Sequence, residues 1–169
     1  GKFLKTVSDA SGVIPQIALI TGVCAGLSAT VAAMFDLTVT VKGSTELFVN
    51  APFLIGKETG DAAFSAANGL SSVLAENEAE AVAKVKRLLS LLPSNNAEGV
   101  IAEELTDDLN RAVSVSGLTG RALLEQLADA GLFLSVGDGY ADGMLTAFAR
   151  FGGVTCGVIA NNAEEEGGV

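Results

Sequence analysis

Three observations predict an α/β fold for this chain. A short apolar run, 16–21, follows a proline and precedes a glycine, as a buried strand does. A small-residue apolar stretch, 27–35, has the length and composition of a buried helix. The segment 37–42 then alternates with period two, as a half-buried strand does. Strand, helix, strand in this order implies a crossover unit with parallel strands.

The remaining elements follow in order. Phe3, Leu4, Val7 and Ala10 have helical spacing, and Gly12 stops that helix. Gly22 and Gly26 bracket a turn between the first strand and the helix, and Asp36 ends the helix. Gly43-Ser44 turns the chain into a short strand over 46–49. Residues 58–67 read as a small-residue helix and 69–75 as a short strand. The clearest helix is 76–92, with Val82, Val85, Leu89 and Leu92 on one stripe and Glu80 paired with Lys84 at i, i+4. Pro93 stops it. Residues 94–117 are polar and acidic and read as a surface linker. Thr119 is placed to cap a helix reaching about Ala130, with Leu123, Leu124 and Leu127 inward. Strands are expected over 132–136, 144–151 and 154–160. Gly152-Gly153 joins the last two as a two-residue hairpin, since glycine accepts positive φ at both positions. The acidic end, 164–169, offers only Val169 to a core. The organisation expected is 1–93, a linker at 94–117, and 118–169.

Composition narrows the function. The chain has 169 residues, is 49% hydrophobic, and carries a net charge of −10. Such an acidic surface repels phosphate backbones and argues against nucleic-acid partners. The basic run at Lys84, Lys86 and Arg87 reads as a solvated helix face. No run is long enough to span a bilayer and no signal peptide is visible, so a cytoplasmic setting is expected. Cys24 and Cys156 read as free thiols. Asp138 and Asp142, beside Tyr140, lack the spacing and closing Glu of a calcium loop, and no metal site is expected. Tyr140 itself reads as a surface-turn residue.

The sequence contains no histidine, which excludes Ser-His and Cys-His nucleophile schemes within this chain. Between Gly22 and Gly26 lies no acid or base. A turn of small residues at a helix start instead presents unpartnered backbone N–H groups, and these can bind an oxyanion. Packing of a helix on a sheet uses the same pattern. The lysine of a phosphate loop and the third glycine of a dinucleotide fingerprint are both missing.

The stretches "GVIPQIALITGVCAG", "FDLTVTVKGSTELFVNAP", "LLSLLPSNN", "TDDLNRA" and "TAFARFGGVTCGVIANN", in this order, resemble carboxyltransferase subunits of biotin-dependent acyl-CoA carboxylases and decarboxylases. The resemblance covers nearly the whole chain. It implies a crotonase-like (ClpP-like) fold, with 1–93 as the C-terminal portion of a first lobe and 118–169 as the N-terminal portion of a second. It implies transfer of a carboxyl group between biotin and an acyl-CoA. Gly26 and Leu27 would offer oxyanion-hole amides to an enolate, and Ala25, Ser28 and Asn50 would line the substrate. Asn50 also reads as an ordinary turn residue. Biotin would ride on a partner carrier domain, acyl-CoA would be the substrate, and a biotin carboxylase or decarboxylase partner and a homo-oligomer are expected. This chain departs from the family in carrying Leu27 where many members have a second glycine, and Ser72 where propionyl-CoA members carry a histidine. The rival readings are a non-catalytic assembly piece of the same fold, and a hydratase or isomerase whose paired carboxylates have no place here.

Overall fold

A computed structural model describes residues 1–55, 59–104 and 107–162. Their elements are α1 (Lys2–Ala10), β1 (Ile17–Ile20), β2 (Val23–Ala25), α2 (Leu27–Ala32), β3 (Leu37–Val41), β4 (Glu46–Phe48), α3 (Pro52–Ile55), α4 (Ala62–Ala67), β5 (Val73–Ala75), α5 (Glu78–Leu91), α6 (Gly120–Leu127), β6 (Phe133–Ser135), β7 (Met144–Phe151) and β8 (Val154–Asn161). The expected contribution of Val169 to a core lies outside the described residues.

The crossover expectation holds. Strands β1, β3 and β5 form a parallel sheet with β3 in the middle, and β2 and β4 form a second parallel pair. Strand β3 is not half-buried as its alternation suggests: residues Thr38–Val41 are all buried. Its threonines survive burial because their side chains and backbone find partners. The Thr40 hydroxyl lies 2.7 Å from the Ser71 hydroxyl, and the Thr38 N–H donates to Ser72 Oγ. A buried hydroxyl left without a partner would cost roughly 1–3 kcal/mol.

Helix α5 forms where expected, and its start explains why. Asn77 Oδ1 accepts the Glu80 N–H at 3.0 Å, while Glu80 reaches back to the Glu76 N–H at 2.9 Å, a reciprocal cap. The Glu80–Lys84 ion pair is present at 2.7 Å. The inward stripe is rotated by one residue from the expected one. Ala81, Leu88 and Leu91 are buried and Val82 and Leu89 are exposed, while Val85, on the expected stripe, packs partly buried against the core and Leu92 is partly buried. Fully burying a leucine such as Leu88 stabilises by about 1.5–3 kcal/mol.

Further expectations are corrected. Residues 23–25 are a strand, because they pair with β4. Helix α2 ends at Ala32 and buries only Ala29, Val31 and Ala32. Thr119 sits at the N-cap of α6 without a side-chain bond, and Leu127 is exposed. The short helix α3 has no counterpart among the expected elements.

The hairpin is as read: Gly152 and Gly153 have φ of 61° and 81°. The Asp129 carboxylate accepts both of their N–H groups, at 2.9 and 2.7 Å. The antiparallel sheet β6-β7-β8 packs through β6 and β7, while β8 has no fully buried residue. Leu145, Ala147 and Ala149 pack with Leu124 and Ala128 below α6. Leu134 joins Val39, Val73 and Leu88 in the core of the parallel sheet, and Phe148 packs against it. Arg150 lies on that same face of β7. It is 8% exposed, donates to Ser90 O at 2.7 Å, and forks onto the Glu103 carboxylate. Segment 94–117 forms no helix among its described residues. It is tied to the hairpin through the Glu103 N–H on Gly153 O and the Thr155 N–H on Ile101 O, both at 3.0 Å.

Candidate active site

At the C-terminal end of β1 the chain leaves the parallel sheet and enters β2. Pairing of β2 with β4 aligns Val23 with Glu46, Cys24 with Leu47, and Ala25 with Phe48. The Gly22 carbonyl accepts the Glu46 N–H at 3.1 Å, and the Gly26 N–H donates to the Phe48 carbonyl at 2.9 Å. Strand β4 is itself held by the Leu47 N–H on Gly60 O at 2.5 Å. Gly60 must be small: a Cβ there would stand 3.1 Å from the Phe48 ring and 3.2 Å from Leu47 O.

Gly26 has φ 60° and ψ −125°, a conformation that disfavours residues with a Cβ. It reverses the chain from β2 into α2. Apart from its chain neighbours, a Cβ built on Gly26 would meet nothing within 4 Å among the described residues. Leu27 is the first residue of α2, and no acceptor is bonded to its N–H among the described residues. An amide at this position has no intrahelical acceptor. The expectation that Gly26 and Leu27 both offer free amides is therefore narrowed. Strand pairing with β4 engages the Gly26 amide, and Leu27 holds the open one.

Ala25, Leu27 and Ser28 are exposed and Gly26 is partly so. Asn50 is exposed two residues past Phe48, at the end of the strand that pairs with β2. The fold thus brings all five expected site residues to one end of the β2–β4 pair. Burial raises the Cys24 thiol pKa, which keeps the thiol protonated and poorly nucleophilic. Among the described residues no group of acidic, histidine or cysteine side chains could hold a metal ion. What this turn offers is a hydrogen-bond donor without a protein acceptor among the described residues, which suits an acceptor that gains negative charge. Sequence reading missed the residues that hold the turn: Phe48 and Gly60, and Thr30, which bonds the Gly26 carbonyl. Only Gly60 carries a sequence signal, a glycine just before the Asp61 helix cap.

A second polar concavity, about 290 Å³, lies at the start of α6 and includes Arg121, Gly137, Asp138, Asp142 and Asn162. Its side chains are engaged with one another. Arg121 pairs with Asp138 at 3.1 Å, Asp138 accepts the Ser135 hydroxyl at 2.6 Å, and Asp142 accepts the Gly139 N–H at 2.8 Å. Tyr140 lies against Gly69.

Comparison with known proteins places the chain. Residues 1–169 match the carboxyl transferase domain. The methylmalonyl-CoA decarboxylase subunit alpha of Veillonella parvula is 33% identical over 95% of this chain and 36% of its own length. The propionyl-CoA carboxylase beta chain of Saccharopolyspora erythraea is 35% identical over 95% of this chain and 34% of its own. A crystal structure of transcarboxylase 12S, with hydrolysed methylmalonyl-coenzyme A bound, superposes with a TM-score of 0.86 at 32% identity, over 97% of this chain and 35% of that one. The chain therefore has the crotonase-like α/β fold, and it spans about a third of the length of the relatives it matches. No helix among the described residues is long and apolar enough to cross a membrane.

Proposed function

The chain belongs to the carboxyl transferase domain family, and on that premise we propose that it works within a subunit moving a carboxyl group between biotin and an acyl-CoA. The observation that carries this reading is the Leu27 amide, which has no protein acceptor among the described residues, next to a Gly26 whose Cβ position meets none of them beyond its chain neighbours. The group to be stabilised is the thioester oxygen of the acyl-CoA, which becomes negative as the α-carbon loses its proton. A preorganised backbone donor supplies that charge stabilisation without a side-chain acid or base. Leu27 is the catalytic residue of this chain, through its amide. Gly26 gives the turn its conformation, and Ala25, Ser28 and Asn50 line the substrate. The exposed Leu27 side chain, 66% accessible, stands beside the donor and narrows the approach.

Biotin, carried by a partner domain, supplies the carboxyl group. The chain's own contribution is to hold the acyl-CoA oxygen. The partners of the reading are a biotin carboxyl carrier protein with a biotin carboxylase or decarboxylase, and further copies of the subunit. The transcarboxylase 12S neighbour is described as a hexamer assembly and multienzyme core, which supports an oligomer. Exposed Phe53, Leu54 and Ile55 on α3 fit an assembly surface as well. They are also the observation that favours the second reading, an assembly piece without catalysis.

Proline is well tolerated as the first residue of a helix and has no N–H, so Leu27→Pro removes the donor alone. In the complete polypeptide with its biotin carrier, this change lowers kcat by roughly 10²–10³-fold, while Leu27→Ala keeps the amide and the activity. Equal activity in both variants would contradict the catalytic reading, and retained self-association without acyl-CoA affinity would establish the assembly reading.

A further inference from the structure

Residues 107–111 read as plain surface linker, yet their side chains reach into the second half of the fold. Arg111 donates to the carbonyls of Gln126, Leu127 and Ala128, at 2.7, 3.3 and 3.0 Å. The first two end α6, where no intrahelical donor reaches them. Asp107 Oδ2 accepts the Arg111 Nε–H and the Ala130 N–H, both at 2.9 Å.

Ala130 is one of two residues other than glycine, among the described ones, with positive φ. Its φ of 52° and ψ of 20° lie in the left-handed region, which a Cβ disfavours. Such a conformation persists where its surroundings hold it, and Asp107 holds the Ala130 amide. The residue before, Asp129, accepts the N–H groups of Gly152 and Gly153 at the hairpin tip. Linker, strained turn and hairpin tip are therefore consecutive links in one chain of contacts.

We infer that Asp107 is a conformational latch: its carboxylate holds Ala130 in the left-handed turn, and that turn keeps Asp129 on the hairpin tip. Strain gives the latch its direction. With the carboxylate in place the turn is closed. Once 107–111 is drawn aside, Ala130 relaxes to negative φ and Asp129 leaves the Gly152 and Gly153 amides. The effect reaches past the tip, because Arg150, two residues from Gly152, joins this sheet to the Ser90 carbonyl of α5. A linker that merely crosses the surface would transmit nothing to the tip. None of this depends on the donor role of Leu27.

The test measures hydrogen exchange in the complete polypeptide carrying Asp107→Ala, Ala130→Gly or both. Glycine adopts positive φ without strain, so Ala130→Gly frees the turn from its need for the latch. Asp107→Ala should quicken exchange at the Gly152 and Gly153 amides roughly tenfold and leave β1 and β3 unchanged. Adding Ala130→Gly should bring both amides back to within about twofold of the parent. Asp107→Asn keeps an acceptor for the Ala130 N–H and should quicken exchange less than Asp107→Ala; the reverse order would contradict the latch. Unchanged exchange in Asp107→Ala would overturn it. Quickening that Ala130→Gly does not reverse would make Asp107 a structural group only and would overturn it equally.

Discussion

The turn at 22–27 and the loop at 137–142 are both glycine-rich, and they differ in what they leave open. The loop is crowded with polar side chains, yet Arg121, Ser135, Asp138 and Asp142 bond to one another or to nearby backbone. The turn has no charged side chain of its own, yet it keeps one backbone donor without a protein acceptor among the described residues. The difference teaches that polar composition is a poor guide to reactivity. A cluster that satisfies itself is structure, whereas a donor without a protein acceptor is open to water or to a ligand oxygen.

The two features also rest on different supports, and the largest expected effect separates them. The turn stands on the parallel sheet, and the loop joins β6 to β7 of the antiparallel sheet that Arg150 ties to α5 and to Glu103, with a further bond from the Gly137 N–H to Ser72 O at 2.7 Å. Arg150→Met removes the buried end of that tie. We expect a loss of about 2–3 kcal/mol in denaturant melts, below the range for fully buried pairs because Glu103 is half exposed. Hydrogen exchange should quicken across β6–β8 and stay unchanged across β2 and α2. Equal quickening in both would erase the distinction between their supports.

Gly26→Ala comes next. Its positive φ strains an alanine, and the tilted peptide should cost roughly ten- to a hundredfold in carboxyl transfer. Asp138→Ala and Asp142→Ala should keep kcat within about twofold. Activity lost in the loop variants and kept in Gly26→Ala would reverse the comparison outright.

Asp129→Ala leaves two hairpin N–H groups without their acceptor, and should cost about 1–2 kcal/mol in thermal melts with kcat unchanged. The smallest effects are set by pH. Glu80 is held below its ordinary pKa, chiefly by its bond with Lys84. Asp107 is held low chiefly by the Ala130 N–H, with Arg111 adding to it. Each carboxylate contributes stability that is fully present above its unfolded pKa, near 4, and lost as pH falls through its lower folded value. Glu80→Gln should flatten the acid limb of the stability curve by a few tenths of a kcal/mol at most, since the pair is screened by solvent.

Much of the frame is legible in the chain. The crossover and the Gly152-Gly153 hairpin follow from order and from glycine chemistry, which are local. The stripe of α5 is misread by one residue because valine and leucine are plentiful on two adjacent faces, and packing against β3 and β5 selects between them. Strand β2 is not legible: Val23-Cys24-Ala25 has no periodicity, and only its partner Glu46–Phe48 makes it a strand. Composition points to the turn, since a chain without histidine leaves the backbone as the available tool. The split between an engaged Gly26 amide and an open Leu27 amide is invisible, because it is decided by the Phe48 carbonyl, distant in sequence.

The most direct test of the account is hydrogen exchange at the Leu27 amide, in the complete polypeptide, with and without acyl-CoA. The account predicts rapid exchange in the free protein and strong protection on binding, with the Gly26 amide protected in both states. A Leu27 amide that exchanges at the same rate in both states would contradict it.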